Sequence, residues 1–434
     1  MAVGVPRWAP AQRMGGPQAD IWTTVNEAVK ASLFQPVINL GQGFFGYNPP
    51  EFLIKALQEA VERVECNQYS PPLGRLSLRK ALATSYSTHT GREINANEFL
   101  ITTGANEGIL SIIMAYVNPG DEVIIMEPLF DQFVHNVNLA GGIPKFVSLS
   151  PPKTGSARQK KLNGSAAEWT FDIDELEAVV SERTKLLIIN NPHNPTGKVF
   201  TRTELETLGR FCQSHNLLIL SDEVYSRFAL SDSNADNPLT HTASMFSDIT
   251  LTVGSVGKDF AATGWRVGFV TGRPSLLGPV ATAHRHICYA SPSAPQEAAA
   301  LGYEIAERKG YWDWMRSNIA RKMERLCAVF EELGIPYYKP DGGYMVLASL
   351  AKVCIPEAYV FPGTVADADR ESQMCWFLVN EIGVAGLPSS GFYVTVSQAM
   401  RDAMLFRFAV CREDDVLGVA CERLRELREY ISLE

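Results

Sequence analysis

The chain has no uninterrupted apolar run of the roughly 18–20 residues that a helix needs to cross a bilayer, so a helical membrane protein is excluded. Positive charge is also scarce: 39 Lys and Arg face 48 Asp and Glu, a net charge of −9. A sequence-independent grip on nucleic acid needs a concentrated basic surface, so that class is excluded as well. The eight cysteines never form a C-x-x-C pair, which removes the simplest thiolate zinc and redox motifs. They lie in apolar or helical stretches and read as small buried hydrophobes in a reducing compartment. Among the seven histidines, His284 and His286 come closest to a pair, but no carboxylate or cysteine cluster accompanies them in sequence, so no metal is expected. Repeats, low-complexity tracts and the apolar core of a secretory signal are all missing. Residues 1–19 carry Arg7 and Arg13, no acid and several prolines, and read as a flexible tail. The expected location is cytoplasmic, with mitochondrial import as the alternative.

What is present is an ordinary globular composition over 434 residues, 46% hydrophobic and 20% charged, enough for two or three core-forming units. From about residue 50 to 290, helical stretches alternate with short apolar runs: EVIIM (122–126), LLIIN (186–190), LLILS (217–221), TLTVG (250–254) and VGFVTG (267–272). Each is rich in Leu or β-branched residues and bounded by Gly, Pro or Asp, as strands buried on both faces of a mostly parallel sheet are. Helices such as 201–215 supply the crossovers. After about residue 300 the texture changes. Helical patterns at 296–332 and 413–431 bracket strand-like segments at 336–348 and 404–410, with a helix at Glu371–Asn380. The expected class is α/β with a smaller α+β domain. Its expected parts are a tail (1–19), a segment packing on the small domain (20–47), a large domain (48–300) and a small one (301–434). Lys153–Glu168 reads as a surface loop.

The informative residues sit where strands end and helices begin, the place where parallel α/β sheets bind ligands. LLILS runs into Asp222-Glu223-Val224-Tyr225, and LLIIN into Asn191-Pro192-His193-Asn194-Pro195-Thr196-Gly197. TLTVG runs into Ser255-Val256-Gly257-Lys258, followed by Thr263-Gly264-Trp265-Arg266. Thr103-Gly104-Ala105-Asn106 precedes a helix, whose first backbone N–H groups can hold a phosphate. A carboxylate ending a buried strand, such as Asp222, needs a cationic or hydrogen-bonding partner; an N-cap role for the next helix is the simpler alternative. Arg407, inside the apolar run Leu405-Phe406-Arg407-Phe408, is either buried with a partner or bound to a ligand.

In this order, the segments resemble the signature of the fold-type I pyridoxal-phosphate enzymes, specifically the class I/II aminotransferases. The resemblance runs from about Trp22 to the C-terminus. Asn39-Leu40-Gly41-Gln42-Gly43-Phe44 and Glu127-Pro128-Leu129-Phe130-Asp131 are most similar to the kynurenine aminotransferase and cysteine-S-conjugate β-lyase group. The resemblance implies pyridoxal 5′-phosphate as cofactor, an electron sink that the protein anchors and tunes. It implies that Lys258 holds the cofactor aldehyde and moves a proton, with Asp222 pairing the ring nitrogen and Tyr225 and Asn194 bonding the ring hydroxyl. Phe130 would stack on the ring. Gly104, Ala105, Asn106, Ser255 and Arg266 would hold the phosphate, with Tyr69 lent by a second subunit, so a homodimer with shared sites is implied. Arg407 would clamp the substrate carboxylate, with Gly43, Trp22, Asn194 and Tyr289 around the substrate. Phe392 and Tyr393 are weaker pocket candidates.

The implied reaction is ping-pong transfer of an amino group from an aromatic amino acid, L-kynurenine foremost, to a 2-oxo acid, giving kynurenic acid after cyclisation. The alternatives are β-elimination from a cysteine conjugate and amino transfer from another amino acid by the same fold. Animal members tend to show Phe-His where this chain has Tyr289-Ala290, and Lys where it has Arg266, which puts the pocket's shape in question but not cofactor binding. Three other motifs are discarded. Gly41-x-Gly43-x-x-Gly46 is followed by Asn48-Pro49-Pro50 instead of a helix. Ser77-x-x-Lys80 and Ser255-x-x-Lys258 lack the remaining β-lactamase elements in order. His193 reads as structural.

Overall fold

The computed structural model describes residues 11–14, 21–151, 164–230, 240–395 and 397–431. Most of the expected tail, and residues 153–163 of the expected loop, lie outside them.

The apolar runs form one eight-stranded sheet. Its spatial order is Phe99–Thr102, Gly268–Thr271, Thr250–Gly254, Leu218–Asp222, Thr184–Asn190, Glu122–Glu127, Ile143–Ser150 and Thr170–Phe171. The central strands are parallel and buried on both faces, which is why their sequences are continuously apolar and do not alternate. Crossover helices follow the sequence cues closely. Arg202–Ser214 opens with a Thr201/Glu204 capping box and buries Leu205, Leu208, Phe211 and Cys212 along one stripe.

The run at 267–272 departs from the parallel pattern. Gly268–Thr271 pairs antiparallel with both of its neighbours. The short link 255–267 therefore returns at once to the sheet end it left, and Ser255, Lys258 and Arg266 hang together there.

A second sheet runs Leu387–Pro388, Leu405–Ala409, Met345–Ser349, Tyr337–Lys339 and Gly164–Ser165. The last strand corrects the loop expected at 153–168: Gly164 and Ser165 pair with Tyr338 and Lys339, and a Ser165/Glu168 capping box follows. The helical pattern 296–332 is two helices, Ser293–Lys309 and Tyr311–Glu332, parted by Gly310 at φ +62°. Near the N-terminus, Ile38–Asn39 pairs in parallel with Val384–Ala385, fastening that segment to the C-terminal region.

Candidate active site

The carboxyl ends of the parallel strands open into a cleft of roughly 800 Å³, mouth included, lined by Asp222, Tyr225, Ser255, Lys258 and Arg266 among others. One end could hold an anion. Gly104, at φ +83°, turns the chain into the helix Ala105–Tyr116, whose first-turn N–H groups have no partner within the helix. Arg266, itself left-handed at φ +54°, folds its guanidinium against this turn, donating to Thr263 O at 3.0 Å and Thr103 O at 3.5 Å. A Cβ on Gly104 would sit 2.4 Å from Arg266 Nη2, so only glycine allows this approach. The Asn106 side chain accepts from Asn136 Nδ2 at 3.0 Å. Ser255 Oγ accepts from Lys258 N at 3.3 Å at the start of its helical turn.

Deeper in the cleft, Asp222 is buried at the end of its strand and accepts one backbone N–H, from Val224 at 3.2 Å. Burial pushes its carboxyl up to about 7, against the pull of that N–H and of Lys258. An acid held this high lacks a full positive partner, and a ring N–H⁺ would supply one. Lys258 Nζ donates to Gly43 O at 3.0 Å and to Tyr344 Oη at 2.9 Å. Burial lowers its ammonium to about 8, while Cys411 and Asp222 act to raise it. Tyr225 is pushed up to about 12 by burial and remains a neutral phenol.

Beside the cleft stands Arg407, 5% exposed, in the centre of the strand Leu405–Ala409. Its Nη1 donates to Asn194 Oδ1 at 2.8 Å and its Nη2 to Gly41 O at 2.6 Å. Phe392 lies under the guanidinium at 4.8 Å. The buried Nε has no partner among the described residues, so the guanidinium retains donor capacity for a carboxylate. Asn194 is fixed from the other side, its N–H donating to Asn190 Oδ1 at 2.7 Å.

The remaining expectations divide. Phe130 lines the cleft, half-buried. Gly43 reaches it through its carbonyl. Tyr69 is 85% exposed, and its ring meets that of Tyr289 edge-on at 5.4 Å, outside the cleft lining. Tyr289 thus stands on the surface of the single chain, beside Tyr69. The Trp22 side chain lies outside the described part of the structure. His193 is buried on Thr196 Oγ1 at 3.0 Å and held near 3, a neutral loop-fixing residue, as its sequence context suggested.

Two features escaped the sequence. Tyr344 is fully buried with its hydroxyl on Lys258; nothing local in Gly-Gly-Tyr-Met marks it. The second corrects the reading of His284. Helix spacing places His284 and Cys288 beside Glu107, their ligand atoms all within 4.8 Å. The Glu107 carboxylate is already engaged by Thr103 N, Ser111 Oγ and His284 Nδ1.

A glycine turn at a helix start, a buried lysine and a buried acid line one cleft, and a buried arginine bonds its lining residue Asn194; this set suits a phosphate-bearing pyridine aldehyde and an amino acid. Together fold and site define a pyridoxal-phosphate enzyme of the fold-type I class. The chain belongs to the aminotransferase class I and II family, whose model matches residues 35–424. It is 44% identical over 422 residues to the "Probable kynurenine--oxoglutarate transaminase BNA3" of Saccharomyces cerevisiae, covering 95% of this chain and 93% of that one. The kynurenine--oxoglutarate transaminase of Dictyostelium discoideum is 32% identical over 398 residues, covering 90% and 91%. The crystal structure of Bna3p from S. cerevisiae superposes with a TM-score of 0.91 at 42% identity, over 98% of this chain and 100% of that one.

Proposed function

We propose that this aminotransferase moves the amino group of L-kynurenine to a 2-oxo acid, with 2-oxoglutarate the first acceptor to test. The observation that supports the reading is the cleft lined by Lys258, Asp222, Ala105 and Asn106, with Arg407 bonded to its lining residue Asn194. Bound there, pyridoxal phosphate supplies an electron sink for the bonds at the substrate's Cα. Gly104, Ala105, Asn106, Ser255 and Arg266 would hold its phosphate, Asp222 its ring nitrogen, Tyr225 and Asn194 its ring hydroxyl, and Phe130 its ring face. Arg407 and Asn194 would orient the substrate carboxylate, with Gly43, Trp22 and Tyr289 near its side chain. Lys258 would carry the proton between substrate and cofactor carbons.

Adding L-kynurenine alone should shift the cofactor's near-ultraviolet band to shorter wavelength, and adding 2-oxoglutarate should restore it. A band that ignores kynurenine retires this substrate. Pyruvate and ammonia from a cysteine conjugate, without amino transfer from kynurenine, would instead select β-elimination.

The same reading makes the enzyme a homodimer. Val64, Tyr69, Leu73 and Leu76 are exposed along one short segment, and Tyr69 is braced by Tyr289. Apolar groups so concentrated favour an interface. Across it, Tyr69 would reach the partner's phosphate. The protein should sediment as a dimer, and Tyr69→Phe should raise the cofactor's Kd about tenfold through one lost hydrogen bond to a charged group. A monomer, or an unchanged Kd, removes the shared site. We further infer the division into a large unit (48–300) and a small one (301–434). The pairing of Ile38–Asn39 with Val384–Ala385 supports placing 20–47 with the latter. All eight cysteines are free, in keeping with a reducing compartment such as the cytoplasm.

A further inference from the structure

Around the end of Lys258, three groups close a triangle. The Tyr344 hydroxyl donates to Gly43 O at 2.7 Å and accepts from Lys258 Nζ at 2.9 Å, while Nζ also donates to Gly43 O at 3.0 Å. Both partners of the amine are rigid. The Tyr344 ring is wedged between Tyr225, Phe45 and Phe228, with centroids at 5.3, 5.1 and 5.5 Å and steep interplanar angles. Gly43 lies in a loop wrapped around Arg412, which donates to the carbonyls of Asn39 at 2.9 Å, Gln42 at 2.9 Å and Phe44. Gly46 lets the loop close, since a Cβ there would lie 2.8 Å from Arg412 Cδ.

We propose that Tyr344 is a further catalytic residue, whose hydroxyl, with the Gly43 carbonyl, holds the Lys258 amine whenever that amine is not bonded to the cofactor. This rests on the reading of Lys258 as the cofactor-bearing lysine. A freed lysine amine on a four-carbon stem has many rotamers, and fixed partners restrict it to few, which favours proton exchange with the substrate's Cα. The two partners differ in chemistry. A carbonyl only accepts, so Gly43 serves the ammonium and any remaining N–H. A hydroxyl accepts from the ammonium and can turn to donate to the free base, so Tyr344 serves Nζ on both sides of its proton transfer. Burial holds the Tyr344 proton in place well above the usual phenol range. The other groups acting on Nζ are Cys411 and Asp222, which raise its proton affinity, and Arg407 and Arg266, which lower it. The Tyr225 ring lies 5.7 Å away.

The test is trace acetylation of the cofactor-free protein with acetic anhydride at pH values either side of about 8, reading the Lys258 peptide by mass spectrometry. Tyr344→Phe keeps the ring but removes a charge-assisted acceptor from the ammonium, which is worth more than the neutral bond it removes from the free amine, so the Lys258 midpoint should fall by roughly one pH unit. In the loaded enzyme, kcat should drop about tenfold with KM nearly unchanged, the pattern of a group that acts in the reaction step. Equal unfolding temperatures would show that the variant folds. A labelling profile superimposable on wild type overturns the proposal, even if kcat falls. Borohydride reduction and peptide mapping separate the two readings. Cofactor on another lysine sinks the site assignment, whereas cofactor on Lys258 with an unmoved profile sinks only the role of Tyr344.

Discussion

Lys258→Ala is expected to abolish amino transfer, with a loss of at least about 10³-fold, or about 4 kcal/mol in the barrier. The size follows from the absence of a substitute. Lys258 Nζ hydrogen-bonds only Gly43 O and Tyr344 Oη among the described contacts, and neither of these is a base near neutral pH. Asp222 is buried at a strand end, and by the proposed reading is committed to the ring nitrogen. Lys258 suits the task because burial brings its proton affinity down to about 8, so a useful fraction is free base at neutral pH. Lys258→Arg keeps the charge but stays protonated, so it should fail as badly as alanine. Single-turnover measurements with L-kynurenine check both variants. A Lys258→Ala enzyme within tenfold of wild type would transfer the proton role to another residue. Retained cofactor absorbance would show that the pocket survives.

The fold's central features were legible because both-face burial leaves continuous apolar runs and because strand ends carry the polar residues. The sheet's inner strands, Asp222, Lys258 and Ser255 all fall where that logic puts them. Local sequence did not reveal that Gly268–Thr271 runs antiparallel, because a short apolar strand reads alike in both directions. That reversal is what returns Arg266 to the Gly104 turn. Gly164–Ser165 was hidden for a different reason: its pairing partner lies far along the chain, and two residues carry no periodicity. Arg407 announced itself as a charge inside an apolar strand. Tyr344 gave no such signal, since a tyrosine leading into an apolar strand is ordinary and only its three-dimensional neighbours reveal its hydroxyl's task. Tyr69 and Tyr289 illustrate a third limit. The resemblance implies that Tyr69 is lent across a dimer and that Tyr289 lies near the substrate; in one chain they form a surface pair, and the proposed dimer would supply what the single chain lacks.

Asp222→Asn should separate stability from function, in opposite directions. In the cofactor-free protein, burial raises the Asp222 carboxyl from 3.8 to about 7. Between those values the folded state binds more protons than the unfolded one, so stability falls as pH rises through the window and stays low above it. An asparagine carries no charge to bury and escapes this cost. The cofactor-free variant should therefore unfold at a higher temperature than wild type above pH about 7, with the difference fading as pH drops towards the unfolded value of 3.8. Adding pyridoxal phosphate should reverse the order. In wild type a ring N–H⁺ would pair with the carboxylate and offset the burial cost, while asparagine would offer only a neutral partner. The variant should thus gain less stability from the cofactor and lose at least about 10²-fold in kcat, as removal of an electrostatic partner at a reacting group does. Thermal unfolding with and without cofactor across this pH range, alongside kinetics, tests the argument. If the cofactor-free variant is no more stable than wild type at any pH, Asp222 is already compensated within the chain. Its role as the ring-nitrogen partner would then have to be given up.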